Sequence, residues 1–183
     1  SALDLPSDIG LRLLAARARV HDKAGDLGQA LRTWGQVKQQ AQAGSIARQA
    51  AQLATADLHL RQGRRSEAQE ALKQLLDSGT DPRIKGRALI VQGRIHEAEK
   101  LRDLAVAAYR KVLQIERLDT DTVEEARIAL ASLVLDQSGA DQAEALLADL
   151  APGAVTEVMA HARLGEARQH LDAGDAETAH GVY

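Results

Sequence analysis

Residues 25–34 read Gly-Asp-Leu-Gly-Gln-Ala-Leu-Arg-Thr-Trp: a turn glycine, an alanine five residues on, and a large apolar residue four beyond that. The same cadence returns at Gly63 to Leu72, Lys100 to Tyr109, Ser138 to Leu147 and Gly174 to Tyr183, with a polar residue replacing the turn glycine in two copies. The anchor alanines Ala30, Ala68, Ala105, Ala143 and Ala179 lie 36 to 38 residues apart. A fixed period of this size marks a repeat architecture, in which each unit buries its apolar face against its neighbours.

Twelve residues before each anchor stands a small residue: Ala18, Ala56, Gly93, Ala131 or Ala167. A small residue midway along one helix and an alanine early in the next let two backbones approach closely. The large residues Trp34, Leu72, Tyr109, Leu147 and Tyr183 are then expected to fill the groove formed with the following copy. Val37, Leu75, Val112 and Leu150 continue the same helical face. The punctuation predicts first helices near 8–24, 45–62, 82–99, 121–137 and 155–173. Second helices fall near 26–43, 64–77, 101–118, 139–150 and 175–183. Asp81-Pro82 reads as an N-cap followed by proline at the first helical position.

Composition agrees. The chain has no Phe, no Cys and no Asn, and its aromatics are Trp34, Tyr109 and Tyr183. Alanine and leucine dominate, as helices prefer, and strand-forming runs are nearly absent. A net charge of −3 does not provide the basic footprint of a general nucleic-acid binder. Apolar runs such as Ala88 to Val91 fall far short of the ~20 residues of a membrane span. With no cysteine there is no disulfide, and the chain suits a reducing cytoplasm and a bacterial periplasm alike.

These residues give the chain a resemblance to the tetratricopeptide repeat family over nearly its whole length, in units at about 11–44, 49–81, 86–119, 124–155 and a truncated 160–183. The period is a few residues longer than the usual 34 of that family, and the closing proline is displaced or missing. The resemblance implies an all-α, right-handed superhelical solenoid of antiparallel helix pairs. It also implies a non-enzymatic protein-binding scaffold without cofactor, whose first helices line a concave face. The inner positions implied are Arg12 and Arg19, Ala50 and Asp57, Arg87 and Arg94, Glu125 and Ser132, and His161 and Arg168. Arginine binds carboxylates in bidentate fashion, which points to an acidic partner segment. Arginines paired with neighbouring carboxylates on a solvated stripe are the plainer reading of the same residues. The carboxylate clamp of the family's chaperone-tail binders uses two asparagines, which this sequence lacks.

His21, His59, His96 and His170 share one register, nine residues before the anchor, so each copy sits on a different hairpin. Helices packed ~10 Å apart cannot bring them to one metal, and packing is the expected role. Asp119-Thr120-Asp121 lacks the glycine and distant glutamate of a calcium loop and reads as an N-cap cluster. No phosphate loop, dinucleotide fingerprint or nucleophile elbow occurs. The last nine residues begin a second helix that stacking would leave uncovered, which predicts an excised fragment, or association of copies through Ala179 and Tyr183. The competing reading is a structural or self-assembling spacer within a larger bacterial envelope, export or assembly protein.

Overall fold

The computed structural model describes residues 7–77 and 81–138. The fourth turn onward, including Ala143, His161, Arg168, His170, Ala179 and Tyr183, lies outside the described residues, as do the expectations placed there. Among the described residues the chain is all helix: α1 (Ser7–Lys23), α2 (Leu27–Gln40), α3 (Ile46–Arg61), α4 (Arg65–Asp77), α5 (Pro82–Ala98), α6 (Arg102–Leu113) and α7 (Thr120–Ser138). Consecutive helices pair as hairpins, each second helix packs on the next first helix, and α3, α5 and α7 also touch in series. This is an α-solenoid.

Local chemistry sets the helix starts. The side chains of Asp26, Ser45 and Asp81 accept hydrogen bonds from the amides of Gln29, Arg48 and Arg83. Asp119 accepts from the Thr122 amide at 3.0 Å and from its hydroxyl at 2.8 Å, so the acidic cluster is an N-cap. The turns within hairpins share one closure: the amides of Asp26, Arg64 and Leu101 donate to the carbonyls of His21, His59 and His96 at 2.8 to 2.9 Å. That five-residue return is the Schellman pattern, which needs a left-handed residue just after the helix. Gly25 and Gly63 provide it with φ of 77° and 74°, and Lys100 does so at 60°. A lysine there carries the steric cost that glycine avoids. Lys100→Gly is therefore expected to stabilise the fold by about 0.5–1 kcal/mol in urea unfolding.

Two second helices stop earlier than the sequence suggests. α2 ends at Gln40 because Ala41 turns extended, and the Arg48 guanidinium reaches back to the carbonyls of Lys38 (3.2 Å) and Ala41 (3.4 Å). α6 ends at Leu113 and the chain leaves it through Arg117 at φ 63°. That exit lays Leu118 over Gly86, where an added Cβ would lie 3.0 Å from the leucine, and places Asp119 to cap α7.

Among the described residues the core forms three clusters, one at each junction. Trp34 and Val37 of α2 join Ala51 and Leu58 of α3. Leu72 and Leu75 of α4 join Ile84, Ala88, Val91 and Ile95 of α5. Tyr109 and Val112 of α6 join Ala126, Leu130 and Val134 of α7. The fillers thus occupy the junction with the following hairpin, but Tyr109 also presses back on its own hairpin. A Cβ added at Gly93 would stand 2.6 Å from its ring. Gln49, a buried polar residue, ties two junctions together: its amide nitrogen donates to the Gly44 carbonyl at 2.8 Å and its oxygen accepts from the Asp81 amide at 3.0 Å. A buried amide with both ends satisfied fixes geometry rather than costing stability.

Candidate functional site

The first helices pack in series, so residues at one repeat position form a row across them. Arg19 of α1, Ala50 and Asp57 of α3, Arg87 and Arg94 of α5 and Glu125 of α7 line a single groove of ≈ 480 Å³. Its floor is apolar, built by Leu53, Ala54, Ile84, Ile90 and Val91. Arg83, one helical turn before Arg87, adds a further guanidinium that the spacing of seven did not reach. Arg12 and Ser132 are exposed but do not line the groove, and the Ser132 hydroxyl bonds the Ile128 carbonyl of its own helix at 3.0 Å.

Charges in the groove are partly paired off. Arg94 lies between two carboxylates, 3.6 Å from Asp57 and hydrogen-bonded to Glu125. Asp57 is 3.8 Å from Arg61, which donates in turn to Asp22. The alternating series Asp22, Arg61, Asp57, Arg94, Glu125 therefore crosses α1, α3, α5 and α7. Each link is half-exposed and individually worth little, but the series pins neighbouring first helices in one mutual position. Arg94 is held by the protein's own carboxylates, while Arg83 and Arg87 have no ion pair within 4.0 Å among the described residues. Arg87 acts on Asp119 at longer range: with the Thr122 hydrogen bonds as the main cause, it holds that carboxyl below its usual value. Arg19 rests its guanidinium 5.7 Å from the centre of the buried Trp34 ring, a cation–π contact that orients it over the groove.

Beyond Arg94 the sign reverses. Between α5 and α7 a second concavity of ≈ 540 Å³ shares Ile90, Arg94 and Glu125 with the groove and adds Glu97, Asp121 and Glu124. Tyr109 forms its base, fully buried, its hydroxyl donating to the Glu97 carboxylate. Burial first, then that hydrogen bond and the Glu97 charge, push the phenol far above its ordinary pKa.

Among the described residues, the register histidines His21, His59 and His96 stand in the last turns of their helices. No group of three His, Cys, Asp or Glu side chains among the described residues could hold a metal ion. His21 accepts from Arg17 at 3.4 Å, and His96 Nδ1 stands 3.7 Å from Glu99. Burial chiefly, aided by the Arg64 charge, lowers the His59 pKa below 6.5. A histidine that resists protonation only when folded leaves stability unaffected above its unfolded pKa and lowers it as pH falls through that value toward the folded one. Stability is thus expected to decline between pH 7 and 5, and His59→Gln to flatten that slope in pH-dependent urea melts. No helix among the described residues is long and apolar enough to cross a membrane.

No protein-family model matches the chain, and no curated protein does. Solved structures do. A TPR protein with an unusual peptide-binding site, YrrB, is 16% identical, over 92% of this chain and 80% of its own, with a TM-score of 0.58. A putative kinesin light chain of Podosopora anserina with nearly identical TPR-like repeats is 19% identical, over 98% and 93%, with a TM-score of 0.63. A substituted form of the latter is 18% identical, over 97% and 93%, at the same TM-score of 0.63. The chain has the fold of tetratricopeptide repeat proteins.

Proposed function

We propose, with the tetratricopeptide fold as premise, that the chain is a non-enzymatic scaffold that binds a segment of a partner protein in the groove across α1, α3 and α5. One observation carries the reading: an apolar floor of Leu53, Ile84, Ile90 and Val91 is overlooked by three guanidiniums, Arg19, Arg83 and Arg87, that the internal ion-pair series leaves available. An apolar surface provides affinity, and a few placed polar groups orient what lies on it. A large apolar side chain of the partner lies on the floor, and a flanking Asp or Glu meets the guanidiniums bidentately. The acidic end by Glu97, Asp121 and Glu124 repels that carboxylate, so the acidic residue is directed toward α1 and the start of α5.

Selection of a displayed random-peptide library on the intact chain tests this. Enriched peptides are expected to combine Asp or Glu with a large apolar residue. Arg83→Glu with Arg87→Glu should weaken them at least tenfold while the melting temperature holds, both side chains being exposed. Enriched peptides that bind the double variant equally well would place the partner elsewhere.

A further inference from the structure

The concavity between α5 and α7 adjoins the groove, with which it shares Ile90, Arg94 and Glu125. Its charge follows from the repeat. Asp121 and Glu125 stand 38 residues after Arg83 and Arg87, the interval that separates Ala105 from Ala143, so on α7 each acid takes the place an arginine holds on α5. Glu97 and Glu124 add to these acids, and Arg94 is the one cation lining the space among the described residues. Arg94 is shared between Glu125 and Asp57, and the Tyr109 hydroxyl donates to Glu97. No ion pair within 4.0 Å among the described residues engages Asp121 or Glu124.

Charge and shape together set the occupant. An excess of carboxylates asks for a cation, and no three of them among the described residues are placed to hold a metal ion. Ile90, Ile128 and Ala129 form an apolar wall suited to the methylene stem of a long basic side chain, whose charged head then reaches the acids. Arg94 already shows this arrangement, lining the same space and hydrogen-bonding Glu125. We infer that the concavity takes a lysine or arginine of the same partner segment whose acidic residue meets Arg83 and Arg87, an inference that rests on the groove as the binding site. Packed helices lie about 8–10 Å apart. A segment crossing them in extended form advances about 3.3 Å per residue, so its basic residue stands about two to four positions from its acid. Opposite signs on α5 and α7 reject segments with two acids or two bases at that separation.

The displayed random-peptide library, selected on the full chain, provides the probes. Enriched peptides are expected to carry Lys or Arg at a recurrent separation of about two to four residues from Asp or Glu. In a synthetic enriched peptide, exchanging that basic residue for alanine should weaken binding to the chain by about fivefold or more. The same exchange should matter by less than about twofold on Asp121→Asn with Glu124→Gln, which removes both charges and nearly keeps both shapes. Glu124→Gln alone, with a smaller loss of the same kind, serves if the pair lowers the melting temperature. Enriched peptides that combine acidic and apolar residues without a basic one at a recurrent separation would overturn this inference and leave the groove reading standing. A loss that persists in full on the neutralised variant would place the cation elsewhere and overturn it too. Selection that returns no acidic peptide would sink the groove reading and this one together.

Discussion

Gly93→Ala is expected to destabilise the chain by about 2 kcal/mol, even though the same change in an ordinary helix interior is favourable by up to about 1 kcal/mol. The added Cβ would stand 2.6 Å from two ring atoms of Tyr109, and that ring is fully buried among Leu89, Ile90 and Leu130. It cannot swing aside without displacing the α6–α7 junction, so the strain falls in the upper part of the usual ~1–3 kcal/mol for overpacking. Tyr109→Leu alone should cost about 3 kcal/mol by opening a cavity and ending the hydrogen bond to Glu97. The double variant is expected to be markedly less destabilised than the sum, because the second hairpin already uses that pair: Ala56 with Leu72, both buried in one cluster. Urea unfolding of the four proteins measures the coupling. Additive losses would show that the glycine and the tyrosine are not packed as one unit.

Arg94→Glu should be the most damaging charge reversal in the groove, at about 1–2 kcal/mol in low salt, since it sets a third carboxylate beside Asp57 and Glu125. Much of the loss should vanish in 1 M NaCl, where screening acts within about 3 Å. Arg87→Glu, without such partners among the described residues, should change stability by less than about 0.5 kcal/mol. Denaturant midpoints at the two salt concentrations are expected to separate an Arg94 that holds the first helices together from an Arg87 that the proposed partner segment can meet. Equal costs for the two reversals would remove the ion-pair series as a structural feature.

The helix order was legible because its cause is local and repeated. Turn residue, anchor alanine and large filler recur at a fixed period, and the caps at Asp26, Ser45 and Asp81 stand beside the helices they start. The early ends of α2 and α6 were not, because each is set by a distant group: Arg48 reaching back across a loop, and Leu118 settling on Gly86. Arg83 carries a usable signal, one turn from Arg87 on the same face, but it lies outside a spacing of seven.

The candidate site divides in the same way. The periodic pattern by itself determined that Arg19, Asp57 and Arg94 recur at one repeat position and Arg87 and Glu125 at another, seven residues earlier on the same helical face; that this face is the inner one is what the family resemblance implies. Only the tertiary structure decided which of them are ion-paired there. Whether an arginine is taken or available depends on carboxylates some thirty residues away on other helices, such as Glu125 for Arg94. A spacing rule sees the face of a helix, whereas pairing is settled by the few ångströms between neighbouring helices that packing alone sets.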